Sequence, residues 1–316
     1  GDESGYSISL NGGGNIVAIG AIGNDDNGFN AGHVRVYEYE WNGGPTESSW
    51  IQLGQDIDGE AYGDKSGYSI SLSSDGGILA IGALHNIASG VASNSYGHVR
   101  VYEYDGSSWI QLGQDIDGES DDDFSGFSVS MNSDGNKVTI GAPYNDGNDE
   151  NDSKRGHVRV YSLDNGEEEL TGCTDETAFN YNADATEDDG SCCYSSFGSV
   201  WNQIGQNIDG EAAGDESGYS VSLSSDGNIV AIGAPYNDGN GSSAGHVRIY
   251  QDIGGNWVQL GQDIDAEAYE DHSGCSVSIS SDGYTVAIGA KGNYGNAPTS
   301  GHVRVYNWTG NSWDQI

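Results

Sequence analysis

The sequence predicts an all-β protein, a five-bladed β-propeller of four-stranded antiparallel blades. Three observations point there. A strand-like start recurs five times, at Gly5, Gly67, Gly126, Gly218 and Gly274, with spacings of 62, 59, 92 and 56 residues. Each start is followed by three more short strand patterns before the next begins. No stretch carries the 3.6-residue period of an amphipathic helix. Repeats of this length and content are expected of propeller blades, because a lone four-stranded sheet cannot cover its own apolar faces. The blades are expected at about 1–60, 61–120, 121–212, 213–268 and 269–316. Five such units suffice to close a ring; the alternative is part of a larger, for example seven-bladed, propeller.

The fourth unit shows the elements in order. Strand A is Gly218-Tyr219-Ser220-Val221-Ser222-Leu223, alternating as a half-buried strand does. The Asp226-Gly227 pair suits a tight hairpin turn. Strand B is the apolar run from Ile229 to Ala234, and a polar loop then leads to strand C, Gly245-His246-Val247-Arg248-Ile249-Tyr250. Strand D starts at Trp257, and the linker Asp263-Ile264-Asp265-Ala266-Glu267 carries the chain to the next unit. The chain opens inside the motif, at Gly1-Asp2-Glu3-Ser4, which reads as a mature protein or a fragment.

Three segments, Gly218 to Leu223, Val230-Ala231-Ile232-Gly233-Ala234-Pro235 and Gly245 to Tyr250, resemble the FG-GAP repeat. Gly126-Phe127 and Gly141-Ala142-Pro143 carry the same signature in the third unit. The repeat builds the propeller of integrin α subunits and of many secreted microbial proteins. The resemblance therefore implies an extracellular or cell-surface protein that binds or adheres. It extends over nearly the whole chain outside one insertion. The family's usual calcium loop between strands A and B is missing. A turn such as Ser74-Asp75-Gly76 offers one carboxylate, far short of the six to eight oxygens Ca²⁺ takes.

Composition narrows the partners. Ten basic residues face 49 acidic ones, a formal net charge of −39. Phosphate contacts need clusters of Lys and Arg that this chain lacks, so no nucleic-acid partner is expected. Neither is direct membrane insertion, since no run approaches the roughly 20 apolar residues of a spanning helix. The expected partners are an extracellular protein or glycan, or copies of the chain itself in an assembly.

The carboxylates concentrate in the D–A linkers and B–C loops, which share one face of a propeller. The linkers read Asp56-Ile57-Asp58-Gly59-Glu60 and its relatives, each ending in Asp-x-Ser-Gly. Asp25, Asp26, Asp146, Asp149 and Asp238 of the B–C loops, with Asp184, Asp188 and Asp189 of the insertion, are the candidate metal ligands, and Ca²⁺ is the cofactor they would hold. Five His-x-Arg pairs stand one per strand C. Their arginines, Arg35, Arg100, Arg159, Arg248 and Arg304, are expected to pair with Asp2, Asp64, Asp123, Asp215 and Asp271 and so lock blade to blade. Trp50, Trp109, Trp201, Trp257 and Trp313 recur once per strand D and are expected to pack between blades.

Residues 165–198 form an insertion in the third blade. There Cys173 is expected to bridge Cys192, or alternatively Cys193, in an oxidising compartment. Cys275 replaces the strand-A aromatic and reads as a buried free thiol. No residue is expected to be catalytic, because the polar residues repeat in every unit and no Gly-x-Ser-x-Gly elbow or His-Glu-x-x-His is present. The expected function is a non-enzymatic extracellular binding or adhesion module with an acidic, Ca²⁺-binding face. The alternatives are a structural subunit of a fibre, coat or appendage, and a glycan-active enzyme.

Overall fold

A computed structural model describes residues 1–41, 48–86, 95–147, 154–164, 199–295 and 300–316. These residues form five antiparallel sheets and no helix. Blade 1 comprises β1 (Ser4–Leu10), β2 (Ile16–Ala21), β3 (His33–Glu40), β4 (Ser49–Gln52) and β5 (Ile57–Asp58). Blade 2 comprises β6 (Ser69–Leu72), β7 (Ile78–Ala83), β8 (His98–Tyr104), β9 (Trp109–Gln111) and β10 (Ile116–Asp117). Blade 3 comprises β11 (Ser128–Met131), β12 (Lys137–Ala142), β13 (His157–Asp164), β14 (Val200–Gln203) and β15 (Ile208–Asp209). Blade 4 comprises β16 (Ser220–Leu223), β17 (Ile229–Ala234), β18 (His246–Asp252), β19 (Trp257–Gln259) and β20 (Ile264–Asp265). Blade 5 comprises β21 (Ser273–Ile279), β22 (Thr285–Ala290), β23 (His302–Trp308) and β24 (Trp313–Gln315). In the first four blades the two-residue strand after strand D pairs back onto the start of strand C, as Ile57–Asp58 does on Val34 and His33.

The register repeats from blade to blade. In blades 1 to 4 the Gly of strand B sits against the next blade's Gly: a Cβ on Gly20 would strike the carbonyl oxygen of Gly67. Strands A of successive blades therefore run close together and line the axis. The insertion and its cysteines lie outside the described residues.

The core is divided among the blade junctions. Four buried clusters are present among the described residues, and each joins two successive blades. In the first, Val34 and Val36 of blade 1 meet Leu72, Leu79 and Trp109 of blade 2. Four junctions for five blades leave two faces uncovered. Ile8 and Leu10 of β1 are 68% and 58% exposed, whereas Ile70 and Leu72 at the same positions of β6 are 9% and 7%. Val303 of β23 is 67% exposed, and its counterpart Val247 is fully buried. The five expected blades are present, but blade 1 and blade 5 do not cover one another.

Candidate functional site

The strand-D tryptophans pack between blades, as expected. Trp109, Trp201, Trp257 and Trp313 are each 3% exposed, and each indole N–H donates to a carbonyl of the preceding blade. Trp50 has no preceding blade and is 45% exposed.

The arginine row locks blades through different partners from those expected. Arg100 donates to the Asp58 carbonyl at 2.9 Å and lies 3.5 Å from Glu60, both in the linker before its blade. Arg159, Arg248 and Arg304 repeat this with Asp117 and Glu119, Asp209 and Glu211, and Asp265 and Glu267. Arg35 turns to Asp56 of its own blade. Among the described residues none of the five pairs with Asp2, Asp64, Asp123, Asp215 or Asp271. The reason is that the last four aspartates are buried within their own turns. Asp123, for example, accepts the Ser120 N–H and the Asn145 side-chain amide, both at 2.9 Å. Asp215 and Asp271 do the same with Ala212 and Asn237, and with Ala268 and Asn293. Replacing Arg248, 7% exposed, with alanine is expected to cost roughly 2–3 kcal/mol in a denaturant titration, because Glu211 and the Asp209 carbonyl lose their partner. The equivalent change at Arg35, whose side chain is 39% exposed, should cost less than about 1 kcal/mol.

Several carboxylates of the linkers and B–C loops are engaged by other groups. Three groups bring ligand-type atoms within 4.8 Å of one another: Asp26, His33 and Asp56; Glu60, His98 and Asp115; Glu211, His246 and Asp263. Each already holds an arginine, on Asp56, Glu60 and Glu211 respectively. The imidazole Nδ1 atoms of this row stand 3.7–3.9 Å from carboxylates. Burial drives His98 down to about 4 and His157 to about 3, so at neutral pH these are neutral rings and not ion pairs. Of the candidate metal ligands, Asp26 joins the first group. Asp25, Asp146 and Asp238 accept backbone N–H groups of Asn30, Lys154 and Ser243 within their own loops. Asp149, Asp184, Asp188 and Asp189 lie outside the described residues, as do Cys173, Cys192 and Cys193. Cys275 is a half-buried thiol, less enclosed than expected, because it stands on the uncovered blade 5.

The residues that differ between blades gather elsewhere. The x of Asp-x-Ser-Gly is Glu3, Lys65, Phe124, Glu216 and His272, and all five adopt left-handed backbone, with φ between 52° and 55°. Non-glycine residues seldom hold that conformation, which concentrates where a site needs a side chain aimed in a set direction. Around them run connected aromatic contacts. Tyr6, Tyr68, Phe127 and Tyr219 from successive strands A stand 4.8–5.1 Å apart along the axis. Phe124 meets His85 and Tyr144, and Tyr236 meets His272, at centroid distances of 4.9–5.1 Å.

Lysines gather at this axial mouth, beside Glu3 and Glu216. The chain has four lysines, Lys65, Lys137, Lys154 and Lys291, and all but Lys137 are here. The Lys154 ammonium lies over the Tyr144 ring at 4.7 Å and that of Lys291 over Tyr219 at 5.6 Å. Both act on Glu216, whose half-buried carboxyl is nevertheless pushed up by desolvation. Burial also raises the Tyr144 and Tyr219 hydroxyls and lowers His85. The signal for this cluster was the one variable position inside an otherwise constant Asp-x-Ser-Gly.

Residues 209–250 match the family model of the FG-GAP repeat. The chain carries an FG-GAP repeat. No curated protein matches it at a significant level. The propeller resembles the periplasmic gluconolactonase of Pseudomonas aeruginosa, with 14% identity and a TM-score of 0.50 over 98% of this chain and 70% of that one. It also resembles a candidate 6-phosphogluconolactonase of Bacteroides fragilis, with 11% identity and a TM-score of 0.51 over 99% of this chain and 70% of that one. These likenesses correct the expected function. The fold is shared with proteins named as enzymes, so the propeller is no mark of a non-enzymatic adhesion module or a structural subunit.

Proposed function

We propose that the FG-GAP chain is a hydrolase of a sugar-derived lactone, working outside the cytoplasm, with its reaction site at the axial mouth. The observation that carries this reading is Glu216, half-buried between the fields of Lys154 and Lys291 and raised by desolvation. A carboxyl moved toward neutrality accepts a proton from an attacking water more readily than a solvated one does. Water adds to the lactone carbonyl carbon, and the carbonyl oxygen takes up negative charge beside the ammonium groups. The ring C–O bond then breaks, and the leaving oxygen receives the proton held by Glu216. The product is an open hydroxy acid. The faces of Tyr144, Tyr219 and Tyr236 suit the apolar side of a sugar ring. The names of the two similar structures support the substrate class, and the periplasmic setting of one supports the location.

Glucono-δ-lactone mixed with the purified chain in a pH-stat is expected to show saturable acid release. Glu216→Gln should lower kcat by about a hundredfold to ten-thousandfold, and Lys291→Ala should raise KM. Release no faster than in buffer, or equal in wild type and Glu216→Gln, would sink the proposal.

A further inference from the structure

We infer that two blade junctions each bind a divalent transition-metal ion of the zinc class, one through Glu211, His246 and Asp263 and the other through Glu60, His98 and Asp115. In each set the glutamate comes from the linker before the blade. The histidine opens strand C, and the aspartate comes from the linker that follows strand D. One oxygen of each carboxylate and one ring nitrogen lie within 4.8 Å of one another. His246 Nδ1 stands 3.9 Å from Glu211 Oε2 and 3.9 Å from Asp263 Oδ2, too far for a hydrogen bond to either. Its side chain is 2% exposed, and Nε2 is buried with no hydrogen-bond partner. A buried imidazole left in this way has given up its hydration uncompensated. An ion among the three atoms lies about 2.5 Å from each, and bonds of about 2.0–2.2 Å form once the partly exposed carboxylates close by a few tenths of an ångström. His98 repeats the arrangement, with Nδ1 3.8 Å from Asp115 Oδ2 and Nε2 buried and unpartnered.

The neighbouring groups take other atoms of the same side chains. Arg248 approaches Glu211 through Oε1, and Arg100 approaches Glu60 through Oε1, both at 3.5 Å. Gln259 and Gln111 donate to Oδ1 of Asp263 and Asp115, which turns each Oδ2 toward the imidazole. Such donors fix the orientation of a ligating carboxylate. One imidazole nitrogen with two carboxylate oxygens suits a zinc-class ion, whereas Ca²⁺ takes six to eight oxygens. Two other blades show what removes the site. In blade 3 the residue equivalent to Asp263 is Asn207, whose amide donates to Glu119 Oε2, the oxygen 3.7 Å from His157 Nδ1. In blade 1 the Arg35 guanidinium bonds Asp56 Oδ2 at 2.6 Å, the oxygen that faces His33, so a cation already holds that group. An ion in blade 4 ties the linker of blade 3 to strand C of blade 4, and one in blade 2 ties blade 1 to blade 2.

Equilibrium dialysis of the chelator-treated full chain against micromolar Zn²⁺, followed by metal analysis, tests this by difference. Asp263→Asn and Asp115→Asn each install the asparagine that blade 3 already accommodates, so the fold is kept. Each variant should bind one Zn²⁺ fewer than wild type, and the double variant two fewer. Asn207→Asp should bind one more, because it completes the set of Glu119 and His157. Asp134→Asn, at an exposed turn, should bind as wild type does. Equal uptake by wild type, Asp263→Asn and Asp115→Asn overturns the proposal, as does a wild type that takes up no Zn²⁺. An unchanged count in Asn207→Asp overturns these three positions as the ligand set. An equal loss in Asp134→Asn overturns the proposal in favour of a diffuse ion atmosphere. Displacement of the bound Zn²⁺ by an equal concentration of Ca²⁺ overturns it in favour of a site of oxygens alone.

Discussion

Replacing Trp257 with alanine will destabilise the protein by roughly 3–5 kcal/mol, while the same change at Trp50 will cost less than about 1 kcal/mol. The two residues occupy the same place in the repeat. Trp257 is 3% exposed, donates its indole N–H to the Ile204 carbonyl at 3.0 Å and packs in the cluster joining blades 3 and 4. Gln206 also clamps its backbone, accepting the Trp257 N–H and donating to the Trp257 carbonyl. Truncation leaves a large cavity at the junction and an unpaired Ile204 carbonyl. Trp50 touches Tyr39 of its own blade and is 45% exposed. A denaturant titration of the two variants measures the difference directly. Equal losses would mean that the first blade is covered in solution by something that buries Trp50.

The second large effect is with pH. His157 is 1% exposed, and burial beside Arg159 holds its pKa near 3. The sign follows from proton uptake. Between about pH 6.5 and 3 the unfolded chain binds a proton at this residue and the native one does not. The contribution of neutral His157 is therefore whole above pH 6.5 and lost progressively below it. Asp123 works the other way. Its carboxyl is pushed up to about 6 by burial, so that residue favours the native state as pH falls through 6 toward 4. Many other carboxylates share that trend, and the clean measurement is a difference. The stability gap between wild type and His157→Gln should shrink by about 3 kcal/mol from pH 7.5 to pH 4, at roughly 1.4 kcal/mol per pKa unit. A gap that is flat over this range would show that the ring is protonated in place, paired with Glu119 at 3.7 Å.

Both effects arise at junctions between blades, where the repeat concentrates its buried polar groups. The axial mouth follows a different logic. Its residues are held by the same turns, since Ala212, Asp215 and Asn237 fix the loop that carries Glu216. The turn is constant and the side chain it presents is not, so one scaffold offers a carboxylate in blade 4, a lysine in blade 2 and an imidazole in blade 5.

By itself the sequence determined the four longer strands of each unit, their order, the five blades and the packing of four of the five strand-D tryptophans, but it read the two-residue Ile-Asp strands as linker. These follow from local facts: alternation along a strand, Asp-Gly turns, and a motif repeated at nearly constant spacing. Only the tertiary structure decided which carboxylate each arginine meets. Asp64 and Glu60 stand four residues apart and carry the same charge, yet the first folds into its own turn and the second reaches Arg100 of the next blade. Nothing along the chain separates those two outcomes. The same holds for the axial mouth, where Lys154, Lys291 and Glu216 come from three different blades and meet because strands A converge. The covered and uncovered faces were likewise invisible in the repeat. Ile8 and Ile70 have the same local pattern, and only the presence of a preceding blade buries one and leaves the other in water.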